Sequence, residues 1–199
     1  MKRIWLVRHA ESQANSGMRT SDPAEILLTP AGHVQAQKLA TQFLEPPNLI
    51  VMSPFVRAKQ TAQPLIKKYE NIPYEEWDVH EFTYLAPSKC QKTTTHDRLP
   101  MVRKYWEAND PLYCDGVGAE SFVAFIECVR LIVSRLRSRK EKFIAMFSHQ
   151  QFILAVLWII KNNPDSVISS ESMQRYKNFL DSNKLANGEF AEVDIASLV

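Results

Sequence analysis

Short apolar runs separated by longer amphipathic stretches set the pattern of this chain. Ile4-Trp5-Leu6-Val7, Leu49-Ile50-Val51-Met52 and Phe143-Ile144-Ala145-Met146-Phe147 are the strongest runs. Four or five consecutive apolar residues predict strands buried on both faces, as in a parallel sheet. Ile72 to Val79 predicts a weaker strand because it contains Glu75 and Glu76, and Glu189 to Ile195 predicts a last one at an edge. Between the strands the period changes. Phe122, Phe125, Ile126, Val129, Ile132, Val133 and Leu136 recur at steps of three and four, which predicts a helix with one buried face. Val34, Leu39, Ala40, Phe43 and Leu44 give a second stripe, opened by the Thr29 cap and Pro30 and stopped by Pro46-Pro47. Ser53-Pro54 repeats the cap-then-proline device before a helix carrying Arg57, Gln60 and Thr61, where Pro64 predicts a kink or an early stop. Phe152 to Ile160 predicts a helix packed on the sheet, and Ser170 to Ser182 predicts another. Strands alternating with helices predict an α/β fold, a three-layer αβα sandwich around a mostly parallel sheet. One domain spanning 1–199 is expected, with residues 82–118 as an inserted cap over the carboxyl edge and one helix near Arg98 to Ala108.

Composition narrows the function classes. With 45% hydrophobic and 23% charged residues over 199 positions, the chain reads as an ordinary soluble protein able to bury a sizeable core. A net charge of +2 argues against a general nucleic-acid binder. Arg135, Arg137, Arg139 and Lys140 at the end of the amphipathic helix read as dipole compensation on a solvated face. The apolar run after Met1-Lys2-Arg3 is broken by Arg8-His9, too early for a secretion signal. Phe152 to Ile160 is far short of the roughly 20 residues that cross a bilayer. Cys90, Cys114 and Cys128 are odd in number and widely spaced, which suits free thiols in a reducing compartment. A cytoplasmic protein with neither nucleic-acid nor membrane partners is expected.

The candidate chemistry lies at the strand ends. Arg8 and His9 follow the first run; Ser53 and then Arg57 follow the second; Ser148 and His149 follow the third. One Arg-His pair at a strand end is ordinarily a satisfied surface turn. Three buried strands delivering basic and hydrogen-bonding groups at one end point to a single anion site, because open α/β sheets bind ligands beyond the strands' carboxyl ends. His33 and His96 read as exposed, His96 in a solvated loop. Lys89, Lys92, Arg98 and Arg103 read first as surface charges and, through their place in the cap, as candidates for gripping a second anionic group.

Leu6-Val7-Arg8-His9-Ala10-Glu11-Ser12-Gln13-Ala14-Asn15 resembles the opening motif of the histidine phosphatase, or phosphoglycerate-mutase-like, superfamily. Leu28 to Ala36, Ser53 to Ala62, Gly118-Ala119-Glu120-Ser121 and Ser148-His149 are similar to its later blocks, in the same order. Two positions depart from that pattern: Ala10 and Gln150 stand where the family usually has glycine.

The resemblance implies a phosphomonoester hydrolase, metal-independent and without a cofactor, acting on a phosphorylated small molecule. His9 would be the nucleophile and become phosphohistidine, and it can attack only when neutral. Arg8 and Arg57 would disfavour its protonation and clasp phosphate oxygens. His149 and Asn15 would donate further hydrogen bonds, and Gln150 would narrow the pocket or add one. Glu81 would protonate the leaving alkoxide and then activate water. A surface carboxylate at Glu81, with His80 as the acid-base group, remains the competing reading. Two other functions stay open: phosphoglycerate-mutase-type transfer, although Glu81 to Pro87 lacks the glycine that mutases carry after the acid, and a non-catalytic module that binds a phosphorylated ligand.

Overall fold

Burial on both faces decides the sheet. A computed structural model, which describes residues 2–162 and 167–195, places β1 (Arg3–Arg8), β2 (Leu49–Met52), β3 (Tyr74–Glu76) and β4 (Phe143–Ser148) in parallel. β5 (Phe190–Asp194) lies antiparallel to β1 at one edge, and the order is β3-β2-β4-β1-β5. All of β2 and β4 is buried. The pleat sends alternate residues to opposite sides. Val7, Ile50, Met52, Ala145 and Phe147 pack with Leu39, Ala40 and Phe43 along α1 (Pro30–Gln42) and with Ala62 and Leu65 of α2 (Val56–Lys68). Ile4, Leu6, Leu49, Val51, Ile144 and Met146 pack instead with α5 (Phe122–Ser138), α6 (Gln150–Asn162) and α7 (Ser170–Ser182). The result is the expected α/β sandwich: helices, sheet, helices.

Several local expectations give way to tertiary context. β3 spans only Tyr74–Glu76, because the Val79 N–H folds back 2.7 Å onto the Trp77 carbonyl and ends the ladder. Pro54 lies outside α2, since Ser53 Oγ accepts from Phe55 N–H and makes a turn there, and the helix starts at Val56. Pro64 does not stop α2 short of Lys68; packing of Ala58, Ala62 and Leu65 holds the helix across it. On α1 the buried stripe is Gly32, Ala36, Leu39 and Ala40, which turns Val34 outward (65% exposed); Leu44, just past the helix, is 93% exposed.

Between β3 and α5 run two helices, α3 (Pro87–Cys90) and α4 (Thr95–Ala108), not one. α4 begins earlier than expected because Thr94 and Asp97 form a reciprocal capping box. His96 is therefore exposed on a helix and not in a loop. Phe82 and Tyr105 join the large core cluster, with Tyr84 and Trp106 packed beside them, so aromatic contacts pin the 82–118 segment to the α5 side. Among the described residues no helix is long and apolar enough to cross a membrane.

Candidate active site

The parallel register brings the ends of β1, β2 and β4 to one level. His9 N–H bonds Ser148 O at 3.0 Å and Ser53 N–H bonds Phe147 O at 2.9 Å, so the three strand ends are tied together where the polar residues begin. Beyond them lies a cavity of about 340 Å³ lined by Arg8, His9, Asn15, Arg57, Glu81, Tyr84, Arg98 and Gln151.

His9 is buried, and its Nδ1 lies 2.7 Å from the Ala10 carbonyl. A carbonyl only accepts, so Nδ1 carries the proton and Nε2 keeps its lone pair. Arg57 Nε donates to that lone pair at 3.2 Å. Burial first, then the charges of Arg57 and Arg8, hold His9 well below the ordinary imidazole range, against the pull of the Ala10 hydrogen bond. Ala10 needs no left-handed backbone and donates its N–H to Thr61 Oγ1 at 3.0 Å, so a methyl group fits where the family usually has glycine. Asn187 Nδ2 donates to the His9 carbonyl, and Gly188, at φ 74°, bends the chain so that its N–H reaches the Arg8 and His9 carbonyls.

Arg57 is buried on α2, and desolvation lowers its pKa to about 10. Its Nη1 donates to Pro23 O at 2.6 Å, which anchors the loop after β1 over the cavity. Arg8 Nη1 donates to Leu185 O and to Gln150 Oε1, while its buried Nε has no hydrogen-bond partner. Asn15 Oδ1 accepts from Ser12 N–H, Ser12 Oγ and Asn187 Nδ2. Its amide NH2 is thus the end free to meet an anion.

His149 stands beside His9, ring centroids 5.1 Å apart, and is completely buried. Its Nε2 shares a 2.8 Å hydrogen bond with Ser53 Oγ, and its Nδ1 has no partner. Burial, then Arg57 and His9, push its pKa well down. Glu81 Oε1 accepts the Gln151 backbone N–H at 3.0 Å. Burial raises its carboxyl above the usual range, although Arg57 and Arg8 pull the other way. Neighbouring His80 is turned aside, stacked on Phe55 and 3.8 Å from Glu120.

The structure therefore brings Arg8, His9, Asn15, Arg57, Glu81 and His149 together. Two expected residues do not line the cavity: His149 packs beside His9 with its Nε2 on Ser53 Oγ, and Gln150, the first residue of α6, accepts from Arg8 Nη1. The residue sequence reasoning passed over is Gln151, which lines the cavity and fixes Glu81 through its backbone. A second polar residue heading an otherwise apolar helix was the signal available. Asn187 gave none, since nothing local links it to a residue 178 positions away. Of the four cations singled out between 82 and 118, Arg98 lines the cavity, Lys89 pairs with Asp115, and Lys92 and Arg103 are exposed. Among the described residues no group of three or more His, Cys, Asp or Glu side chains is placed to hold a metal ion. The arrangement can hold a tetrahedral anion beside a neutral imidazole and a carboxyl whose pKa burial raises.

Residues 4–175 match the histidine phosphatase superfamily (branch 1), and the chain belongs to that family. It is 27% identical over 165 residues to the adenosylcobalamin/alpha-ribazole phosphatase of Escherichia coli K12, covering 77% of this chain and 72% of that one. A shorter match, 44% identical over 63 residues and 31% of each chain, is to part of a Hydrogenobacter thermophilus protein that carries a phosphoserine phosphatase name. The fold is shared with the alpha-ribazole phosphatase of Shigella flexneri (TM-score 0.71, 24% identity, 96% of this chain and 90% of that one). It is shared equally with the phosphoserine phosphatase of Entamoeba histolytica (TM-score 0.70, 19% identity, 96% and 90%).

Proposed function

We propose that the protein is a phosphomonoester hydrolase that works through a phosphohistidine on His9, without a metal, on a phosphorylated small molecule. The observation that carries this reading is the state of His9: a buried, neutral ring whose Nδ1–H is spoken for and whose Nε2 lone pair faces an arginine. A phosphate dianion entering the cavity competes for the Arg57 N–H, drawing the guanidinium to its oxygens and freeing Nε2 to attack phosphorus. The P–N bond forms as the P–O bond to the leaving alkoxide breaks. Glu81, whose pKa is raised by burial, gives that alkoxide its proton, then accepts one from the water that cleaves the P–N bond. Arg8, Arg57, Asn15 and the free Nδ1 of His149 surround the charge on the transferring group. Relatives named as phosphatases of alpha-ribazole and phosphoserine support hydrolysis over transfer.

The test is turnover of p-nitrophenyl phosphate in the presence of a chelator, with release of inorganic phosphate. His9→Ala is expected to abolish both turnover and an acid-labile phosphoenzyme. Folded wild-type protein inert from pH 4 to pH 8 would overturn the reading.

A further inference from the structure

The segment between α7 and β5 lies past residues 4–175, the stretch that matches the family. Residues 185–189 nonetheless touch three members of the anion site. Arg8 Nη1 donates to Leu185 O at 2.6 Å. Gly188 N–H reaches the Arg8 and His9 carbonyls at 3.2 and 3.3 Å. Asn187 Nδ2 donates to the His9 carbonyl at 3.0 Å and to Asn15 Oδ1 at 3.1 Å. Asn187 does not line the cavity, so whatever it does for a bound anion it does through these neighbours.

Backbone partners fix which way both amides point. The His9 carbonyl only accepts, so the Asn187 group facing it is the NH2. The Ser12 N–H only donates, at 3.1 Å, so the Asn15 atom facing it is the oxygen. An NH2 carries two hydrogens, and Asn187 meets two acceptors, one on each residue. The two bonds from Ser12 hold the Asn15 amide only against its own turn, three residues away. The Asn187 bond differs in kind: one nitrogen ties that amide to the main chain of His9. It therefore sets where the Asn15 NH2 stands relative to the imidazole. An Asn15 amide turned over would present its oxygen to a phosphate dianion, acceptor against acceptor.

We propose that Asn187 is a positioning residue: by bridging the His9 carbonyl and Asn15 Oδ1, it holds the Asn15 NH2 toward a phosphate bound beside His9. The inference rests on the reading of the cavity as a phosphate site. It makes the segment between α7 and β5 a working part of that site, although none of residues 185–189 lines the cavity.

Binding of inorganic phosphate to the full chain, measured by isothermal titration calorimetry, tests this without requiring turnover. Asn187→Leu, similar in size but without a donor, is expected to weaken phosphate binding about threefold to tenfold in the wild-type background. In an Asn15→Ala background the amide to be positioned is gone, and the same substitution is expected to change the affinity less than about twofold. Asn187→Ala serves equally if the Leu variant fails to fold. An equal loss in both backgrounds, or no loss in either, means that Asn187 only braces the chain, and overturns the proposal. A wild type that shows this pattern with phosphate but hydrolyses no ester loses the phosphatase reading and keeps this inference. A wild type that binds no phosphate overturns both.

Discussion

At the scale of single residues, two ordinary pKa values are pushed toward each other. An imidazole near 6.5 is driven down at His9, and a carboxyl near 4.5 is driven up at Glu81, in both cases chiefly by burial. Catalysis needs the first neutral and the second protonated. The profile of kcat/KM on an alkyl phosphate is therefore expected to be bell-shaped with a mildly acidic optimum. Glu81→Gln removes the group behind the alkaline limb. It is expected to lower kcat/KM by about 10²–10⁴ and to flatten that limb relative to wild type on the same substrate; an unchanged limb would assign it elsewhere. Glu81 was legible in the sequence through the family resemblance, just past the end of a weak strand. Its role turns on desolvation, which no local pattern records.

At the scale of elements, the strand ends and helix caps decide what reaches the cavity. Gly32 shows how closely this is built: a Cβ there would lie 2.0 Å from the Glu11 carbonyl oxygen, so α1 can press against the turn after β1 only with glycine. α4 matters for substrate. It supplies Thr95, Arg98, Leu99 and Val102 to the cavity wall, and Arg98 Nη1 is steered by Thr93 Oγ1 at 2.9 Å. Replacing Thr94 by Ala breaks the capping box, worth about 1 kcal/mol, and loosens the helix start that carries these groups. Steady-state kinetics are expected to show KM rising several-fold with kcat little changed. Arg98→Gln is expected to raise KM only for substrates with a second anionic group, and an equal rise for neutral-bodied esters would remove Arg98 from recognition. The long amphipathic α5 was readable residue by residue, since its stripe is complete within the helix. The boundaries of β3 and α2 were not. Each was set by a turn that depends on neighbours, at Val79 and at Ser53.

At the scale of the whole molecule, the site is held against the preference of its own imidazoles for water. His9 and His149 have folded pKa values below the unfolded 6.5. The unfolded chain thus binds more protons as pH falls through 6.5, and their contribution to stability, full above that pH, is lost toward the folded values. Each histidine contributes a slope of up to about 1.4 kcal/mol per pH unit in that window. Glu81 works in the opposite sense: its raised pKa favours the folded state at low pH, and that favour is lost as pH rises through the folded value. Urea unfolding at pH 7, 6 and 5 is expected to show stability falling with acid. The fall should be shallower in His149→Asn and steeper in Glu81→Gln. Equal slopes in all three proteins would mean that the two histidines are not buried neutral.

What the sequence determined by itself is whatever a local pattern can encode: the apolar strands, the one-faced helices, and the Arg8-His9 and Ser148-His149 pairs at strand ends. Hydrophobic period and chain adjacency are properties of neighbours in the chain, so they survive in one dimension. The tertiary structure alone decided that Gln150 turns to Arg8 while Gln151 faces the cavity, that Arg98 is the one cation of its four to line it, and that Arg57 meets the Nε2 of His9. Side-chain direction and desolvation arise from elements packed across the sheet, and no stretch of sequence holds both sides of such a contact.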